Sequence, residues 1–250
     1  MGERARHGHD AAGDGRGRGP RRADPRLDLG ADAAGVFVTG RGLALVLAAG
    51  LIAGSPAAAH PHIFIDGGVD FLFDGEGRLT RLRITWDYDP MTSLFMLEDL
   101  GIDGSKPLSD EDRARLAGYD TAWDEGYAGD TYLWNGEQAI GLSNPIAPEA
   151  EIRDGRVVLR FLRDLDKPFR PRSDARVEMY DPEYYYSYTL VGTPGLEGTH
   201  DRCRATIEPY EPTSKLTFLQ KTLSAIPVDQ TPDQANVGEL FTDKARLRCD

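Results

Sequence analysis

The chain has 250 residues and a formal net charge of −12, with 41 acidic against 29 basic side chains. An acidic surface of this kind excludes the classes that hold nucleic acid or anionic lipid by charge, and it favours cations. The length suits one large domain or two small ones once any N-terminal targeting segment is set aside.

Residues 1–35 are rich in Gly, Arg, Asp and Ala and show no apolar periodicity, so 1–41 read as a disordered or over-extended leader. The run 42–53 is apolar throughout, but about 20 residues are needed to cross a bilayer. With Ala57 and Ala59 behind it, it reads as a secretory signal, 42–59, cleaved after Ala59. The expected product is a single periplasmic β-rich domain, 60–250, which begins His60-Pro61-His62 and has no membrane span.

From residue 62 to residue 73 the side chains alternate, with Ile63, Ile65, Val69, Phe71 and Phe73 on one face and His62, Asp66 and Asp70 on the other. A turn at 74–77 and a second alternating run to Tyr88 predict a β-hairpin. Asp89-Pro90 then predicts an N-capped helix over 91–100 that Gly101 ends. The capping-box pattern at 109–112 predicts a second helix, with Leu116, Tyr119 and Trp123 on its apolar side and Gly126 as its stop. Further strands are predicted at 131–134, 156–162, 175–180, 185–191, 202–208 and 245–249, with helical turns at 215–225 and 237–242. Many short strands with a helical insertion give an α+β fold on an antiparallel β-sandwich-like core. In an oxidising compartment the only two cysteines, Cys203 and Cys249, predict a disulfide that ties the last strand to the body.

Two imidazoles two residues apart on an extended strand project to one side about 7 Å apart, close enough to share a transition-metal ion with ligands from elsewhere. His60 and His62 are therefore the candidate half-site, and Pro61 excludes a copper clip that needs a deprotonated amide at the second position. His200 is the one other histidine of the expected product. Asp66 lies about 13 Å along the strand from His62 and joins it only if the chain bends. Asp181, beside Pro182, is the acid most suited to an exposed sheet edge. Tyr184, Tyr186 and Tyr188 are predicted to form a ladder on one face of a strand. No G-x-S-x-G, H-E-x-x-H, P-loop or dinucleotide fingerprint is present, which favours a non-enzymatic role.

Four stretches, 60–66 (HPHIFID), 83–87 (RITWD), 179–185 (MYDPEYY) and 237–249, together resemble a bacterial periplasmic family of unknown function. That family is labelled the periplasmic component of an uncharacterised ABC-type transport system. The resemblance places His60, His62 and Asp66 on the family's opening motif and Asp181 on its D-P-x-Y motif. It implies work beside an inner-membrane permease of the nickel/cobalt type. The resulting expectation is a periplasmic accessory protein that binds Ni²⁺, Co²⁺ or Zn²⁺ through His60, His62 and His200 or an acid, Asp66 or Asp181. The alternatives are a copper redox site built from the amine and ring of His60 with His200, and a ligand-free structural or interaction domain of the envelope.

Overall fold

The computed structural model describes residues 60–250 apart from 125, 172, 173, 201, 228 and 229. The leader, the apolar run 42–53 and the cleavage site after Ala59 lie outside the described residues. The described elements all belong to one compact unit, Gly54–Asp250.

Alternation sets the first hairpin. β1 (Ile63–Phe73) buries every second side chain and pairs antiparallel with β2 (Leu79–Tyr88), with Ile65 opposite Tyr88 and Phe71 opposite Leu82. The helix α1 (Pro90–Leu100) follows at once, since Asp89 accepts hydrogen bonds from the Met91 and Thr92 amides and Pro90 opens its first turn. Gly101, at φ 66°, ends it in the left-handed conformation that glycine adopts without a Cβ clash. α2 (Asp110–Gly118) is capped by Ser109, and its Leu116 is buried.

Here the structure departs from the predicted helix, which runs to Gly126. α2 stops at Gly118, Tyr119 is largely exposed, and Trp123 packs instead against Trp86 and Phe161 at ring separations of 6.0 and 5.6 Å. An aromatic pocket in the sandwich outweighs the i, i+3, i+7 pattern that a helix would have used.

β3 (Thr131–Asn135), β4 (Gln138–Ile140), β5 (Ile146–Arg153), β6 (Arg156–Phe169), β7 (Ala175–Met179), β8 (Tyr186–Leu190), β9 (Leu196–Glu197), β10 (Cys203–Glu208) and β11 (Lys244–Cys249) complete two sheets. One runs β5-β6-β2-β1-β8, with β9 also on β1, and the other β10-β11-β7-β3-β4. Residues of both sheets share one core, in which Trp86, Phe71, Leu133, Leu159, Val177 and Leu247 are almost wholly buried. The architecture is therefore the expected α+β sandwich, with one departure from antiparallel pairing. β8 and β9 both run parallel to β1.

The outer face of the first sheet carries ion pairs. Asp66 meets Arg156 at 2.9 Å, Asp70 and Glu197 share Arg83, and Arg81 meets Asp164. A helix α3 (Ser214–Leu223) and a 3-10 turn (Val237–Phe241) enclose a second, smaller core of Tyr184, Leu223, Val237 and Phe241. Cys203 and Cys249 stand opposite each other on β10 and β11 and are joined by the predicted disulfide.

Candidate functional site

The parallel pairing of β1 and β8 brings the residues that precede β1 and the Asp181–Tyr185 segment to one end of the sandwich. Ile63 is opposite Tyr186, and the His62 amide donates to the Tyr185 carbonyl at 2.9 Å. Asp181 fixes the approach of that segment, because its carboxylate accepts hydrogen bonds from the backbone amides of Glu183, Tyr185 and Tyr186 at 3.0, 2.6 and 3.1 Å. Three backbone donors occupy both its oxygens, so Asp181 shapes the turn and is not the free sheet-edge acid expected of it. Gly238 is needed beside it: a Cβ there would lie 2.0 Å from the Asp181 carbonyl oxygen.

Tyr184 leaves the ladder predicted for it. It sits at φ 61° in the turn before β8 and packs against Phe241 at 4.7 Å in the smaller core. Tyr186 and Tyr188 remain on one face of β8, stacked at 6.3 Å.

His60 and His62 precede β1 rather than lying on it. Their ring centres are 4.7 Å apart, nearer than the spacing expected of an extended strand, and their planes are at 75°. Tyr185 forms the wall behind them, 4.8 Å from His62 and 6.1 Å from His60. His60 is buried, and His60 Nδ1 and His62 Nε2 are both out of reach of solvent with no hydrogen-bond partner among the described residues. Burial, and then the neighbouring His60, hold the His62 imidazole below the usual histidine range. A neutral ring at pH 7 keeps the lone pair that a metal ion requires.

The remaining predicted residues do not join this pair. Asp66 points to Arg156 on the outer face of the sheet. His200 is at the opposite end of β1, 6.0 Å from the Phe73 ring and beside the disulfide, in a cleft with Glu76, Arg170 and Asp250. Ten steps along the strand separate Ile63 from Phe73, a distance of about 33 Å. Among the described residues no group of three or more His, Cys, Asp and Glu side chains is placed to hold a metal ion.

Sequence reasoning missed what lies next to the histidines. His62 is on the edge of a pocket of about 380 Å³ lined by Tyr88, Phe95, Met96, Tyr119, Asp120, Tyr185 and Tyr186, among others. Asp120 is its half-buried acid. Burial raises the Asp120 pKa, and the Tyr88 hydroxyl, which donates to Oδ2 at 2.5 Å, limits that rise. Another acid, the buried Asp130, accepts from the Tyr188 hydroxyl at 3.0 Å and is pushed up to about 7 by burial and by Asp181. Outside this pocket, the buried guanidinium of Arg163 donates to the carbonyls of Ser143 and Ala128, both at 2.7 Å, and lies over the Trp123 ring. Burial brings its pKa down to about 10. No motif spacing marks these residues. The one signal was their type: Asp130 and Arg163 are charged residues within runs that otherwise read as strand or strand flank.

A two-sheet α+β sandwich that carries at one end a pair of imidazoles, each with one buried unpartnered nitrogen, and an aromatic pocket lined by Asp120 defines the class of this protein. The chain belongs to the family described as Protein of unknown function (DUF1007), which it matches over residues 45–249. No curated protein matches it.

Proposed function

We propose that the protein is a periplasmic accessory that binds a divalent transition-metal ion at His60 and His62. The observation that carries this reading is the pair of dry, unpartnered ring nitrogens, His60 Nδ1 and His62 Nε2, on rings 4.7 Å apart. Buried polar atoms without a partner cost roughly 1–3 kcal/mol each, so a fold that keeps one on each of two adjoining rings calls for something that satisfies both. Imidazole nitrogen suits Ni²⁺, Co²⁺ and Zn²⁺, and the lowered His62 pKa keeps its ring available to them. The acidic net charge favours cation capture from dilute solution. Export after Ala59 and transfer of the ion to a nickel/cobalt-type inner-membrane permease complete the reading, and the family resemblance of the sequence supports that role.

Titration of the exported protein with Ni²⁺, Co²⁺ and Zn²⁺ tests it. One equivalent of ion should bind, and His60→Ala/His62→Ala should weaken binding by on the order of a hundredfold or more. Equal affinity of the double variant and the wild type for all three ions would end the proposal.

A further inference from the structure

The histidine pair is an incomplete site, and the acids around it are already engaged. Asp66 is paired with Arg156, Asp181 holds three backbone amides, Asp89 caps α1 and Asp120 accepts from Tyr88. Among the described residues no third His, Cys, Asp or Glu completes a ligand set. A borderline metal ion requires at least three protein donors to be held firmly. Among the described residues the missing donor is therefore not a histidine, cysteine or carboxylate side chain.

We infer that removal of the export segment after Ala59 creates the third ligand: the freed α-amine of His60, with His60 Nδ1 and His62 Nε2, forms a three-nitrogen seat for a divalent transition-metal ion. The inference rests on the metal-binding reading above and specifies its ligands.

Two observations point to these atoms. The first is which ring nitrogens are dry and unpartnered. In an N-terminal histidine only Nδ1 can close a six-membered chelate with the amine, since Nε2 is on the far side of the ring. Nδ1 is the orphaned nitrogen of His60, and Nε2 that of His62.

The second observation is the ring separation. With a metal–nitrogen bond of about 2.0 Å and a ring nitrogen roughly 1.2 Å from its ring centre, two imidazoles on one ion sit about 4.5 Å apart at a right angle and about 6.4 Å apart when trans. The observed 4.7 Å fits the right-angled case. The amine then takes a third adjacent position, which caps one face of the ion and leaves the others open. A T-shaped copper site with trans imidazoles would require the rings to part. Pro61 does not oppose the cap, because no backbone amide nitrogen takes part.

The functional consequence is that metal loading depends on export. An uncut chain carries an amide at His60, which is no ligand while protonated, so the site is complete only after the chain has crossed the membrane.

The experiment compares the 60–250 chain, released from a fusion with His60 as its first residue, with the same chain keeping Ala59 as one added residue. Ni²⁺ alone is the probe, followed by calorimetry and by its visible spectrum, with circular dichroism to verify equal folding. The His60-first form should bind on the order of a hundredfold more tightly. His62→Ala in that form should lose the gain and change the spectrum. Mass spectrometry of the full chain exported from a bacterium should give a first residue of His60. Equal, tight binding by both forms overturns the amine ligand and leaves the two-histidine reading standing. Binding by neither form overturns both. Any other first residue of the exported chain overturns the inference.

Discussion

Asp130 shows how one side chain links burial to pH. It is about 3% exposed, accepts from the Tyr188 hydroxyl, and has Tyr127, Asp181, Asp120 and Arg163 around it. Its folded pKa, about 7, is above the ordinary carboxyl value of about 4, so the folded chain holds the proton more tightly than the unfolded chain does. The stability this group contributes is complete below pH 4 and is lost as pH rises through 7. Asp120, raised by burial too, acts in the same direction. Urea denaturation should therefore show stability falling from pH 5 to pH 8, with a slope of up to about 1.4 kcal/mol per pH unit for each such group. In Asp130→Asn most of that slope should disappear. A variant as steep as the wild type would show that Asp130 is ionised at both pH values.

At the scale of elements, α1 is the support of the pocket, and Asp89 is its anchor. The carboxylate accepts from the amides of Met91, Thr92 and Phe64 at 2.8, 3.0 and 3.1 Å, so one side chain caps the helix and ties its start to β1. Burial alone would raise the Asp89 pKa, but these donors and the Thr92 hydroxyl hold it below the usual carboxylate range. Asp89→Ala removes the cap and leaves the Phe64 amide without its side-chain acceptor. It should cost about 1–2 kcal/mol of stability. Hydrogen exchange should quicken first in the opening turn of α1, ahead of the sheets. Thr92, Phe95 and Met96 line the pocket from this helix, so its loosening should also weaken any metal-dependent change in tyrosine fluorescence.

For the molecule as a whole, the first core cluster draws on both sheets and on α1 and α2, and the disulfide closes the edge where β10 meets β11. One shared core predicts one cooperative transition, in which tryptophan fluorescence and far-ultraviolet circular dichroism follow the same curve. Cys203→Ser/Cys249→Ser opens a loop of 46 residues. It should lower stability by about 3–4 kcal/mol on the chain-entropy scale and leave that single transition intact. Separate transitions for the two probes would show that the sheets unfold independently.

How much was legible in the sequence follows from the range of each interaction. The hairpin of β1 and β2, the capped start of α1, the short strands and the pairing of the two cysteines depend on alternation, capping residues and count, which neighbours in the chain already specify. β5 was not legible, because Pro148 and a mostly exposed surface erase its alternation at the sheet edge. The end of α2 was misread for a related reason: the core, and not the helix, claims Trp123. Of the candidate site, the sequence by itself determined that His60 and His62 are close, since two residues cannot separate them far. Only the tertiary structure decided the rest. The parallel docking of β8 beside β1 sets Tyr185 behind the rings, commits Asp181 to a turn, and leaves His200 at the other end of the strand. It also closes an aromatic pocket over Asp120. Strand pairing between distant segments is set by burial of a common core, and no local pattern of residues encodes which ring nitrogens it will leave dry.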